Sequence, residues 1–151
     1  MVQVTPDAGS YLLISRLDKP AFLKVGALGE YLFPSGIYFY SGSAGNRGGL
    51  RARIFHHLRI HAFPHWHLDY LRPFLHPLEA WMMMANESLE CDFNCCVCSF
   101  FHTKQAVKGF GSNDCRRGCG SHLSYLPLEC QLDHLFIQFK EYFKGVERIF
   151  L

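Results

Sequence analysis

No apolar run in the chain approaches the roughly 18 residues that a membrane-spanning helix requires, so no transmembrane segment is expected. The first residues, "MVQVTPDAGSYLLISRLD", lack a basic segment followed by an apolar one, so no secretory leader is expected. There is no internal repeat, no low-complexity stretch and no second domain in the pattern. The seven cysteines are an odd number in a chain with no export signal, which argues against a disulfide framework. Reduced core thiols or a metal site suit them better. Charged residues are only 19% of the chain and hydrophobic ones 49%, a globular composition. With 151 residues the chain suits one compact, soluble, cytoplasmic domain.

One further absence is local. From Tyr31 through Leu68 there is no aspartate or glutamate, while Arg47, Arg51, Arg53 and Arg59 stand there with five histidines. Such a stretch is the electrostatic footprint of a polyanion site, or else a basic face balanced by acids elsewhere.

Along the chain, Gly9 to Ile14 reads as a strand, and Phe22–Val25 with Glu30–Phe33 as a hairpin around Gly26-Ala27-Leu28-Gly29. Gly36 to Gly42 reads as another strand, and Gly45 to Gly49 as a loop. Leu50 to His61 has helical period, with Leu50, Ile54 and Leu58 on one stripe and Arg53 and His57 together on its edge. His65, His67 and Asp69 alternate. On a strand they would share a face, as a support, a second metal position or simply a polar surface.

Leu78 to Ala85 reads as a buried strand. A helix from about Leu89 to His102 follows, capped by Asn86 or Ser88, with Leu89, Phe93, Cys96 and Phe100 on its apolar face. Cys91, Cys95 and Cys98 share a stripe of that helix and read as small buried hydrophobes. Gly109 to His122 is a loop. Leu132 to Ile149 has the period of a long amphipathic helix. Phe39, Trp66 and Trp81 are expected in the core.

The letters G-I-Y occur at Gly36-Ile37-Tyr38, too close to Tyr40-Ser41-Gly42 for two separate strands. The better partner of Tyr40-Ser41-Gly42 is Gly9-Ser10-Tyr11. With Arg53-x-x-x-His57 and Glu90 in "SLECDF", this order resembles the GIY-YIG nuclease superfamily. It is most similar to a subgroup sometimes fused to endonuclease III-like DNA glycosylases, in which a hairpin separates the two Tyr motifs. "HWHLDYL" and "GFGSNDC…SHL" also resemble that subgroup, over roughly Gly9 to Tyr125. The first motif keeps only its Gly and Tyr, and a cysteine pair is stretched to Cys115 and Cys119.

The resemblance implies an α/β fold: a small, mostly antiparallel central sheet with an inserted β-hairpin, flanked by helices. It implies a nuclease domain over residues 1–125, with 126–151 as a C-terminal amphipathic helix on the same domain. The implied activity is metal-dependent hydrolysis of DNA, at damaged or branched sites, with a repair glycosylase as a candidate partner. Tyr11, Tyr40, Arg53, His57 and Glu90 would be catalytic, and Glu90 would hold Mg²⁺ or Mn²⁺. Gly9, Gly42, Ser43, Arg47, Arg51, His65 and His67 would lie along the substrate.

These residue types suit the chemistry. Arg offers two parallel donors to a phosphate. One carboxylate can suffice for Mg²⁺, which keeps several of its waters. Tyrosine, with an ordinary pKa of about 10, would need nearby cations to serve as a base. Two other readings remain. One is a nucleic-acid-binding module without catalysis. The other is an interaction domain held by zinc, since Cys115, Cys119 and His122 have zinc-like spacing. They supply only three ligands, and the fourth would come from a distant Cys or His.

Overall fold

The computed structural model describes residues 8–45, 48–113, 115–127 and 130–151. Seven strands and four α-helices follow in the order β1 (Gly9–Leu17), β2 (Ala21–Lys24), β3 (Glu30–Phe33), β4 (Gly36–Ala44), α1 (Gly49–Leu58), α2 (His67–Leu71), β5 (His76–Met84), α3 (Glu90–Phe100), β6 (Leu123–Leu126), α4 (Leu132–Tyr142) and β7 (Glu147–Phe150). Five strands make one sheet in the order β6-β4-β1-β5-β7, antiparallel at every pairing. The remaining two, β2 and β3, form the inserted hairpin. The expected α/β architecture is therefore the observed one.

Strand β1 is central and buried on both faces, so its alternating side chains feed two cores. Tyr11 and Leu13 belong to a cluster with Tyr40, Leu50, Ile54, Leu68 and Phe110. Leu12 and Ile14 belong to the opposite cluster, with Trp81, Phe93, Val97 and Phe139. Helices α1 and α2 and the hairpin thus contribute to one face of the sheet, and α3 and α4 to the other.

The structure corrects several expectations. His67 and Asp69 lie on α2, not on a strand, because the Asp69 carboxylate accepts the His65 and Trp66 N–H groups and caps a helical turn there. Neither Asn86 nor Ser88 caps α3; the Leu89 N–H is taken by Ser10 Oγ of β1, 2.7 Å away. Val97, rather than Phe100, completes the buried face of α3. Helix α1 stops at Leu58, ahead of Pro64, where the Arg72 guanidinium donates two bonds to the Leu58 carbonyl.

Helix α4 ends at Tyr142, not Ile149. Gly145 sits at φ 96°, and the chain turns into β7. There Arg148 reaches back to the buried Glu79 of β5 through two 2.7 Å bonds, pinning the new edge strand. Trp66 is only half buried and belongs to the cleft described next; Phe39 and Trp81 are core as expected. No helix among the described residues is long and apolar enough to cross a membrane.

Candidate functional site

The sheet register explains why a Tyr motif and a Gly motif belong together. Tyr11 stands opposite Gly42, and Leu13 stands opposite Tyr40. Two residues apart on β4, Gly42 and Tyr40 point to the same face. A Cβ on Gly42 would collide with the Tyr11 hydroxyl. The glycine makes room for the first tyrosine, and the second lies diagonally beside it, with ring centroids 6.5 Å apart. The literal Gly36-Ile37-Tyr38 is structural: Tyr38 is buried, stacks on Tyr125 and donates to the Pro34 carbonyl. Gly9 is also a packing position, since any side chain there would meet the Met83 carbonyl of β5.

Across this face α1 brings its edge stripe. His57 is 2% exposed, and its Nε2 accepts the Tyr11 hydroxyl at 2.8 Å. The Tyr40 ring meets His57 edge-on at 5.4 Å. Arg53 lies one turn earlier, donates to the Ser43 carbonyl at 3.3 Å and rests 4.5 Å over the Trp66 ring. That cation–π contact and the carbonyl fix the guanidinium from two sides. Glu90, the first residue of α3, completes the circle at the electropositive helix end.

Tyr11, Tyr40, Ser43, Arg53, Trp66 and Glu90 line one open cleft of about 330 Å³ with Gly42, His65, His67, Gly111 and Asn113. The structure therefore brings together Tyr11, Tyr40, Arg53 and Glu90 at the cleft, with His57 directly behind Tyr11. Ser43, His65 and His67 join them. Arg51 is exposed on α1 and is not part of the lining. Arg47 lies outside the described residues.

The electrostatics follow from burial. His57 is held down at about 3 because burial disfavours its charged form, more than Asp69 favours it. Tyr11 is raised well above its ordinary range, mainly by burial and by Tyr40. Arg53 pulls it down, as expected of a neighbouring cation, but does not win. Burial opposes ionisation of Asp69 too, yet the Trp66 and His65 N–H groups and the His56 ring hold its pKa below the ordinary value. Its second oxygen faces His57 Nδ1 at 3.9 Å, and neither atom has a hydrogen-bond partner among the described residues. A proton on Nδ1 is thereby directed at Asp69, which leaves Nε2 as acceptor for Tyr11. His67 Nδ1 accepts the Gly111 N–H at 2.8 Å, so its neutral ring carries its proton on Nε2.

Sequence reasoning missed three members of this site. Trp66 looked like core, and its only signal was its place between two histidines in the acid-free stretch. Gly111 and Asn113 come from a loop with no periodicity to read.

Among the described residues, two side-chain groups have the composition of metal sites. His56, His61 and Asp69 lie close together, but His56 already bonds Asp69 and His61 bonds the His56 carbonyl. The other comprises Cys91, Cys115, Cys119 and His122, whose ligand atoms all lie within 4.8 Å of one another. Cys91, expected to be a buried hydrophobe, is the fourth member that the spacing of the other three required. A family model described as Domain of unknown function DUF123 matches residues 10–144. No curated protein and no solved structure matches the chain.

Proposed function

We propose that this chain, which belongs to the DUF123 family, hydrolyses phosphodiester bonds in DNA as a metal-dependent endonuclease of the GIY-YIG kind. One observation carries the reading. Tyr11, Tyr40, Arg53, His57 and Glu90 come from four separate elements and converge on one open, acid-poor cleft. Core packing alone does not require a carboxylate, a guanidinium and a Tyr–His pair at one opening.

The donor set fits a divalent cation, because among the described residues Glu90 is the only carboxylate lining the cleft, and it lies partly open to solvent. Glu90 would hold Mg²⁺ or Mn²⁺, which when bound would supply Lewis-acid chemistry for phosphodiester hydrolysis. The chain supplies the rest. Arg53, fixed over Trp66, clamps two phosphate oxygens. His67 offers its Nε2 proton to the same anion. Tyr11, its hydroxyl held by the neutral His57 Nε2, orients the attacking water, which releases its proton to solvent as it attacks. The new P–O bond forms as the bond to the leaving oxygen breaks, and that oxygen takes a proton from solvent. Asp69 faces His57 Nδ1 and fixes the neutral tautomer that accepts the Tyr11 hydroxyl.

The burial that raises Tyr11 favours a second reading, a module that binds nucleic acid without cutting it. Labelled single-stranded, duplex, nicked, flapped, branched and abasic DNAs, incubated with Mg²⁺, Mn²⁺ or EDTA, separate the two. Metal-dependent cutting that disappears in Arg53→Ala and Glu90→Gln supports the nuclease. Salt-sensitive binding with no cutting of any substrate supports the binding module.

A further inference from the structure

We infer that Cys91, Cys115, Cys119 and His122 bind one structural zinc ion, at a site that does not depend on the nuclease reading. Tetrahedral zinc with S–Zn bonds of about 2.3 Å places its ligand atoms roughly 3.6 to 3.8 Å apart. Cys91 Sγ lies 3.6 Å from Cys115 Sγ and 3.7 Å from His122 Nε2. Those are edges of such a tetrahedron. A sulfur–sulfur separation of 3.6 Å is also far beyond the roughly 2.0 Å of a disulfide bond, so the thiols are free. Three thiols and an imidazole are a soft, borderline donor set that suits zinc and not magnesium or calcium.

The histidine is set up as a ligand. His122 is 1% exposed, and its backbone is fixed by its N–H to the Phe110 carbonyl and by its carbonyl to the Ser41 N–H. Its Nε2 faces the sulfurs. Its Nδ1, buried and without a hydrogen bond among the described residues, faces the Glu90 carboxylate at 4.0 Å. Metal-binding histidines commonly direct their second nitrogen at a carboxylate, which fixes the tautomer and the ring orientation.

The fold also has a place for such a tie. Among the described residues, no helix or strand occurs between Phe100 and Leu123, an unusually long irregular stretch for a small domain. Among the described residues, its ties to the sheet are the Lys104–Tyr125 bridge and the His122 carbonyl to the Ser41 N–H. Gly118 and Gly120, at φ 71° and 78°, let the chain turn so that Cys119 and His122 both face α3. Zinc would clamp this stretch to the first turn of α3, as Cys91 is the residue after Glu90.

The test uses the full chain purified without chelator. Elemental analysis is expected to give one zinc per chain. Cys91→Ser and Cys119→Ser are expected to lose it, while Cys95→Ser, exposed and outside the quartet, keeps it. Because the serine substitutions also remove a tie of the fold, the wild-type chain is exchanged into Co²⁺ as an independent measurement. Thiolate-to-cobalt charge transfer with intense tetrahedral visible bands is the expected spectrum. A mercurial reagent should release the metal and lower the melting temperature. A folded chain without zinc, whose melting temperature ignores added zinc and which shows no such cobalt spectrum, overturns the assignment. Arg53→Ala retains full zinc, so a failed cleavage assay and a failed zinc assay are separate results.

Discussion

Acidification should cost this protein stability through His57, and the size of the effect follows from its burial. In the fold the imidazole is held at about 3. In the unfolded chain it titrates near 6.5, so below that pH the unfolded state binds a proton that the folded state refuses. The contribution is intact above pH 6.5 and is lost as pH falls from there towards 3. At about 1.36 kcal/mol for each pH unit, the loss between pH 7 and pH 5 is about 2 kcal/mol. Asp69, held below its ordinary range, stays ionised in both states in that window and does not contribute. The assay is urea denaturation at pH 7, 6 and 5 on the wild-type chain and on His57→Gln. Glutamine can still accept the Tyr11 hydroxyl but cannot titrate. Other groups act equally in both proteins, so the difference in slope isolates His57. Equal slopes would show that His57 protonates freely in the fold, and that the buried Tyr11–His57 pair is not its resting state.

Ser10→Ala removes the acceptor of the Leu89 N–H and should cost about 1 kcal/mol in a denaturant titration, with weaker metal-dependent cleavage because Glu90 begins that helix. Gly42→Ala forces a methyl group against the Tyr11 hydroxyl and should destabilise by about 1 to 3 kcal/mol, read as a lower urea midpoint. Glu79→Ala leaves Arg148 with Asp133 alone and strands the Trp81 indole N–H, and should cost about 3 kcal/mol in thermal or urea melts while leaving DNA binding intact.

The parts of the fold that were legible in the sequence are those with a period. Strand β1 alternates between two cores, and α1 repeats an apolar residue every four positions. Both signals arise from burial of one side at a time, so the sequence carries them locally. The C-terminus shows how the same signal misleads. Val146 and Ile149 continue the helical spacing of α4, but Gly145 redirects the chain, and the two residues fall in the turn and strand that extend the sheet. Spacing alone cannot distinguish those outcomes, because the Arg148–Glu79 pair that holds β7 joins positions 69 residues apart. The short strand β6 had no alternation to reveal it.

The cleft was legible for a different reason: its residues are chemically unusual, not periodic. What escaped were contacts made by loops, Trp66 against Arg53 and the Gly111 N–H against His67. Cys91 escaped because a cysteine on an amphipathic helix is ordinarily core. Its neighbour shows why it is not. Successive residues on a helix point about 100° apart, so the first turn of α3 can present Glu90 to the cleft and Cys91 to the thiol–imidazole group. His122 joins the two, with one nitrogen towards Cys91 and the other towards Glu90. A metal at the cysteines would then fix the position of the carboxylate from which cleavage is proposed to draw its own metal. Loosening the first centre should blur the second, whereas removing Glu90 need not empty the first.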